Sequence, residues 1–144
     1  MEAKDQNGHV NNVEYLRCMQ YTALRHSEAS GFTEATNNVG ATWVARSQWI
    51  EYLNPAFAGQ MAVVLTWVSD IRRVQSPRKY RITRPVDCVL LAGGETDWVF
   101  VDAQNGKLRS IPKKIKAVFE LLSQDKEGDI LDFSFSIIIE STAI

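Results

Sequence analysis

One long helical segment, followed by a series of strand-like segments, is the feature that most constrains how this chain folds. Residues 13 to about 30 are predicted as a helix, because Asn11 or Asn12 can cap its start and Gly31 suits the position after its end. Apolar residues go round most of this helix, so we expect it to be surrounded by protein. Its second half becomes polar, and we expect His26 there to be exposed to solvent.

The rest of the chain is rich in β-branched and aromatic residues that indicate long strands. A polar loop is predicted between the helix and the first strand, over residues 33–40. Gly93-Gly94 predicts a turn or bulge between two strands, residues 104–107 predict a hairpin turn, and Pro112 predicts the start of a short helix over residues 113–122. The predicted strands cover residues 42–53, 60–75, 78–92, 94–102 and 130–140.

This order of elements predicts an α+β fold in which an antiparallel sheet wraps around one helix. The 144 residues are most simply one domain, with a formal net charge of -1 that gives no general attraction for nucleic acid. We expect no membrane insertion and a cytoplasmic protein, since no apolar run has transmembrane length and the first residues form no signal peptide. Exposed sheet edges in such a fold favour dimers.

The segment before the helix carries the residues that indicate a chemistry. A carboxylate, Asp5, is followed by Gly8, His9 and two asparagines, and the helix comes directly after. The first backbone N–H groups of a helix lack partners and carry the positive end of the dipole, so they can polarise a carbonyl. A carboxylate just upstream can attack that carbonyl or deprotonate a water that does. The pattern therefore predicts acyl transfer or hydrolysis.

The chain resembles the hotdog-fold thioesterases of the 4-hydroxybenzoyl-CoA thioesterase type, which hydrolyse acyl-CoA or acyl-carrier-protein thioesters. The resemblance covers residues 5–119, and its motifs occur in the expected order. These motifs are Asp5-x-x-Gly8-His9-Val10-Asn11-Asn12-x-x-Tyr15-Leu16, Ile50-Glu51-Tyr52, the turn at residues 55–59, Thr66-Trp67-Val68, Arg78-Lys79-Tyr80, Trp98-Val99-Phe100-Val101-Asp102 and Arg109-Ser110-Ile111-Pro112.

The resemblance implies a single hotdog domain over residues 1–144, with Asp5 as nucleophile or general base. It implies that the backbone N–H near Asn12 donates to the thioester oxygen and that Gly8 belongs to the loop passing close to the substrate. No metal and no cofactor is expected, coenzyme A being part of the substrate. A homodimer or homotetramer with sites at the subunit boundary is expected. The substrate-binding candidates are His9, Asn11, Tyr15, Arg78, Lys79 and Lys113.

Other interpretations stay open at this point. A hotdog hydratase or dehydratase would depend on His9, and a non-catalytic protein would only bind acyl thioesters. Glu14 or Glu51 is an alternative second acid or base, although Glu14 also suits the helix dipole. The basic residues around Arg78 fit the phosphates of coenzyme A, or simply a solvated strand face.

Two departures from the family pattern are expected to be linked. Only four residues precede Asp5, where relatives have a strand, and Ala3 stands where many have a second acid. Residues 130–140 alternate as a strand that most relatives lack. We predict that this last strand takes the place of the first one, as in a circular permutation. The alternative is that it only extends an outer edge.

Overall fold

The computed structural model describes residues 12–57, 59–125 and 136–139. Within these residues, helices and strands alternate in one α+β arrangement. In chain order they are α1 (Asn12–Ser30), α2 (Phe32–Asn38), β1 (Ala41–Tyr52), β2 (Ala62–Val68), β3 (Gln75–Arg84), β4 (Val89–Asp102), α3 (Lys113–Asp125) and β5 (Ser136–Ile139).

The five strands form one sheet in the order β1-β4-β3-β2-β5, and every neighbouring pair is antiparallel. Helix α1 packs on one face of this sheet, where its apolar side chains join those of the strands in a common core. The predicted α+β class, a sheet wrapped around a helix, is confirmed.

Strand β5 lies at the sheet edge beyond β2, with Ile139 opposite Ala62 and Ser136 opposite Leu65, and it contacts α1. The predicted last strand is thus confirmed over Ser136–Ile139, while the rest of residues 130–140 lies outside the described residues. That this strand replaces an N-terminal one stays a prediction.

Helix α1 buries one face and exposes the other. Tyr15, Met19 and His26 lie on the buried face, whereas Tyr21 and Leu24 are 51% and 60% exposed. The expectation of a helix surrounded by protein is therefore wrong for the single chain. The buried residues recur every three or four positions, which is the spacing of one helical face.

The predicted loop over residues 33–40 is also wrong, because Phe32–Asn38 forms helix α2. Gly31 ends α1 in the left-handed region, with φ of 88°, and lets the chain turn into the second helix. Phe32 then enters the core, and the Thr36 hydroxyl accepts a hydrogen bond of 2.9 Å from Trp43 Nε1. Tertiary contacts thus hold a helix that its polar sequence does not indicate.

Two predicted strand boundaries are also wrong. Gly93 and Gly94 lie inside β4, and the chain reverses instead at residues 85–88, where Cys88 has φ of 57°. Gly94 serves close packing: a Cβ there would stand 2.7 Å from the Trp49 carbonyl oxygen and 3.1 Å from Met19 Cε. The predicted strand over 60–75 is divided, since β2 ends at Val68 and β3 begins at Gln75.

Two further local predictions agree with the structure. The turn after β4 follows Asp102, whose N–H donates to the Lys107 carbonyl at 2.8 Å, and Gly106 takes φ of 72°. Helix α3 begins at the predicted Lys113 and continues to Asp125. Together with α2 it covers a second apolar cluster, formed by Phe32, Ala41, Phe100, Ile111 and Ile115.

Candidate functional site

Helix α1 begins at Asn12, which is where the sequence placed the oxyanion donor. The first N–H groups of this 19-residue helix have no intrahelical acceptor and form the positive end of its dipole. Asp5, Gly8, His9 and Asn11 lie outside the described residues. Their roles stay predictions, while the helix start on which those roles depend is present.

Tyr15 fixes the start of α1 against the segment after β1. It is 3% exposed, it belongs to the same buried core cluster as Ala56, and its ring meets the Tyr52 ring edge-on at 5.3 Å between centroids. Burial raises the pKa of Tyr15, so the phenol stays protonated at neutral pH. Tyr15 therefore holds the helix start in place, and its contact with a substrate stays a prediction.

The two glutamates considered as second acids differ in their surroundings. Glu14 is buried in the first turn of α1, and Arg17 Nη1 donates to its Oε1 at 3.0 Å. This position suits a carboxylate, because the helix dipole and the guanidinium both favour its charge. Glu51 is exposed on the edge strand β1.

Arg78 and Lys79 were predicted to share the binding of phosphate, but the alternation of β3 points them to opposite faces of the sheet. Arg78 is only 4% exposed, under α1, whereas Lys79 is exposed on the other face. Lys113 is exposed at the start of α3, which packs against α2. The structure therefore does not gather these three residues around one phosphate.

Arg78 instead joins the second half of α1 to the sheet. Its Nη1 lies 2.8 Å from His26 Nδ1 and donates to Thr66 Oγ1 at 3.1 Å, and its Nη2 donates to Ser27 Oγ at 3.3 Å. Because Arg78 can only donate, His26 must be neutral and accept at Nδ1. The expectation that His26 is exposed is wrong, since it is 6% exposed.

The charges of this pair follow from burial. Burial and the nearby guanidinium lower the pKa of His26 from 6.5 to about 3, which keeps its ring neutral at physiological pH. Burial also lowers the pKa of Arg78, to about 10, so that its guanidinium still carries its charge. The sequence does not reveal this pair, because its members are 52 residues apart. The available signal was that His26 follows the buried Thr22 by four positions, a spacing that puts both on the same face of α1.

Within residues 12–57, 59–125 and 136–139, no three His, Cys, Asp or Glu side chains are grouped so that they could hold a metal ion. None of the helices among these residues combines the length and the apolar character that spanning a membrane requires.

Comparison with solved structures shows the same fold in several proteins. A probable thioesterase from Escherichia coli, YbaW, matches with a TM-score of 0.75 and 18% identity over 82% of this chain and 89% of its own. The DHNA-CoA thioesterase of Staphylococcus aureus matches with a TM-score of 0.72 and 20% identity over 88% of each chain. A hypothetical protein of Staphylococcus aureus, solved in complex with CoA, matches with a TM-score of 0.76 and 15% identity over 95% of this chain and 88% of its own.

The sequence itself was compared with family models and with curated proteins. No curated protein matches it. The model of the thioesterase-like superfamily matches residues 1–119, which include the Asp5 motif, α1, α2 and strands β1 to β4. The chain belongs to the thioesterase-like superfamily.

Proposed function

We propose that this protein hydrolyses the thioester of an acyl-CoA, or of an acyl-carrier protein, to the free acid and the thiol. The observation that carries the proposal is helix α1, described from Asn12, which comes seven residues after the Asp5 carboxylate of the family motif. The superfamily and the thioesterases of the same fold support this class of reaction.

In this proposal the thioester oxygen accepts a hydrogen bond from the backbone N–H of Asn12. Asp5 then attacks the carbonyl carbon, expelling the thiolate and leaving a mixed anhydride for water to hydrolyse, or it deprotonates a water that attacks directly. Gly8 lets the loop approach the substrate closely, and His9, Asn11 and Tyr15 line the reacting end. Among enzymes that catalyse this reaction, we assign the protein to the 4-hydroxybenzoyl-CoA thioesterase type.

For the nucleotide end of CoA, we propose exposed lysines as separate phosphate contacts. Lys79 lies on the open face of the sheet and Lys113 at the start of α3, both reachable from solvent. The related fold solved with CoA bound supports a ligand of this kind. Arg78 is not available for this role in the described geometry, because its guanidinium is turned under α1.

We also propose that the active form is a homodimer or a homotetramer. The edge strand β1 is 12 residues long, and its side chains include Trp49, which is 58% exposed. A long, exposed edge strand of this kind is a surface on which a second copy would pair.

The decisive experiment measures hydrolysis of a panel of acyl-CoA and acyl-carrier thioesters by the wild type and by Asp5→Asn. We expect kcat to fall roughly 10²- to 10⁴-fold, the usual contribution of a positioned base or nucleophile. Asp70→Asn is the matched control, since Asp70 is an exposed acid whose ion pair with Arg72 lies at the surface, and it should keep the wild-type kcat.

The other interpretations make different predictions in the same assay. If Asp5→Asn hydrolyses the best substrate at the wild-type rate, Asp5 is not the catalyst. Hydration of enoyl thioesters that His9→Ala abolishes would favour a hydratase. Saturable binding of acyl thioesters without turnover by the wild type would favour a binding protein.

A further inference from the structure

A cavity of about 160 Å³ lies between the second half of α1, helix α2 and the sheet. Its walls are mostly apolar, and Phe32, Trp43, Val68 and Trp98 supply the largest surfaces. A dry cavity of about 150 Å³ holds a benzene molecule, so this space accepts a body of that size. Its opening lies beside Leu24, which is 60% exposed.

Arg78 provides the one charge among the described residues that line this cavity. Its described partners, His26, Thr66 and Ser27, are all uncharged. No acidic side chain in the described ranges forms an ion pair with it. A buried charge is costly unless an opposite charge compensates it, and the guanidinium is built to receive a carboxylate through two parallel hydrogen bonds.

A second donor in the same wall lacks an acceptor. Trp98 Nε1 is buried, and within the described residues no acceptor is in hydrogen-bond distance. Trp98 stands opposite Ser76 on the neighbouring strand, and Ser76 lies two residues from Arg78 on the same face of the sheet. Within the described residues, the cavity thus combines apolar walls with a guanidinium that has no counter-charge and an indole N–H that has no acceptor.

We infer that this cavity is a binding site for a small monocarboxylate with an apolar body about as large as a benzene ring. The carboxylate would bind the guanidinium of Arg78, and the apolar body would lie among Phe32, Trp43 and Trp98. A phosphate monoester fits less well, because its second charge would find no further cation among the described residues of the cavity wall.

This site is separate from the proposed thioester chemistry and does not rest on it. The cavity residues of α1 lie 11 to 15 positions after Asn12, which along a helix is roughly 16–23 Å. Loss of hydrolysis in Asp5→Asn would leave the carboxylate site intact, and loss of the carboxylate site would leave the assignment of Asp5 untouched.

The test is isothermal titration calorimetry of the full chain with benzoate, and with benzamide as its neutral isostere, at constant ionic strength. We expect benzoate to bind saturably in the millimolar range or below, and benzamide at least about tenfold more weakly, since it lacks the charge. Arg78→Met should weaken benzoate at least about tenfold as well. Arg81→Met is the matched control, because Arg81 belongs to the same strand but lies exposed on the opposite face, and it should bind as the wild type does.

Leu24→Trp gives an independent arm that leaves Arg78 and its hydrogen bonds in place. A larger side chain at this exposed position should obstruct the opening and weaken benzoate binding. Should Arg78→Met fail to fold by circular dichroism, the benzamide comparison and Leu24→Trp decide the matter. The inference is overturned if benzoate does not bind saturably, if benzamide binds equally well, or if folded Arg78→Met or Leu24→Trp binds like the wild type.

Discussion

The two halves of α1 pack on the same sheet in opposite ways. The first half meets it through an apolar core, whereas the second half meets it through hydrogen bonds and a cavity. The apolar half comprises Tyr15, Cys18 and Met19 with Ile82, Leu91 and Ala92 of the strands. The polar half comprises Thr22, His26 and Ser27 with Thr66, Ser76 and Arg78.

This difference shows that a change from apolar to polar residues along a helix does not by itself mean exposure. Burial of apolar surface stabilises the first half directly. In the second half, Thr22 Oγ1 donates to the Cys18 carbonyl at 2.7 Å and His26 accepts from Arg78, so burial is tolerated because polar groups find partners. The first half supplies stability, and the second supplies a place where a ligand can bind.

The largest effect on stability is expected from a cavity in the apolar half. Leu91→Ala should lower the free energy of unfolding by about 4 kcal/mol, since Leu91 is fully buried and its truncation leaves a cavity in the core. Chemical denaturation would measure it. Leu108→Ala is the control, because Leu108 is 61% exposed, and it should change stability by less than about 0.5 kcal/mol. If both variants changed the free energy of unfolding equally, the apolar core under the first half of α1 would not be a main source of stability.

The close approach at Gly94 gives the next largest effect. Gly94→Ala should destabilise the fold by about 3 kcal/mol, because its methyl group would meet the backbone oxygen of Trp49, which cannot move aside. In Gly93→Ala the added methyl would meet only the Tyr80 carbonyl oxygen, at an ordinary 3.8 Å, so that variant should be tolerated. Thermal melts of the pair would settle whether packing, rather than flexibility, requires the glycine.

Acid should weaken the polar half specifically. The pKa of His26 is about 3 in the folded chain and 6.5 ordinarily, so below pH 6.5 the unfolded chain binds a proton that the folded chain does not. Stability present above pH 6.5 is therefore lost as the pH falls, by about 2 kcal/mol between pH 6.5 and pH 5. Denaturation across this range would measure the loss. In His26→Gln, whose amide oxygen can still accept from Arg78, this part of the pH dependence should disappear; a persistent slope would place its origin elsewhere.

The smallest effect on the subunit concerns the exposed edge. Trp49→Lys should leave the free energy of unfolding of the single chain within about 0.5 kcal/mol, because the side chain is largely exposed. It should nevertheless shift the oligomer toward monomer, since a lysine on an edge strand opposes pairing. Light scattering would follow the shift, with Leu108→Lys as the control away from the edge. A wild type that is a stable, active monomer would refute the assembly we propose.

Local signals in the sequence predicted most elements correctly. The left-handed glycine Gly31 marks the end of α1, Pro112 marks the start of α3, and the residues after Asp102 form the predicted turn. These signals depend on neighbours within a few positions, where propensity and hydrogen bonding act directly. The same locality explains why the motif from Asp5 to Tyr15 was readable as a family signature.

What only the tertiary structure decided involves partners distant in the sequence. Helix α2 is held in place because Phe32 is buried in the core and Thr36 is hydrogen-bonded to Trp43. Position 94 requires a glycine because the backbone of Trp49 leaves no room for a Cβ atom. Alternation alone sends Arg78 and Lys79 to opposite faces, but only the packing of α1 decides which of them is buried beside His26. The sequence by itself determined α1, α3, the turn after Asp102 and the strand-rich character of the rest, since these follow from local chemistry. The structure decided which side chains share a buried environment, since that depends on the positions of all the elements at once.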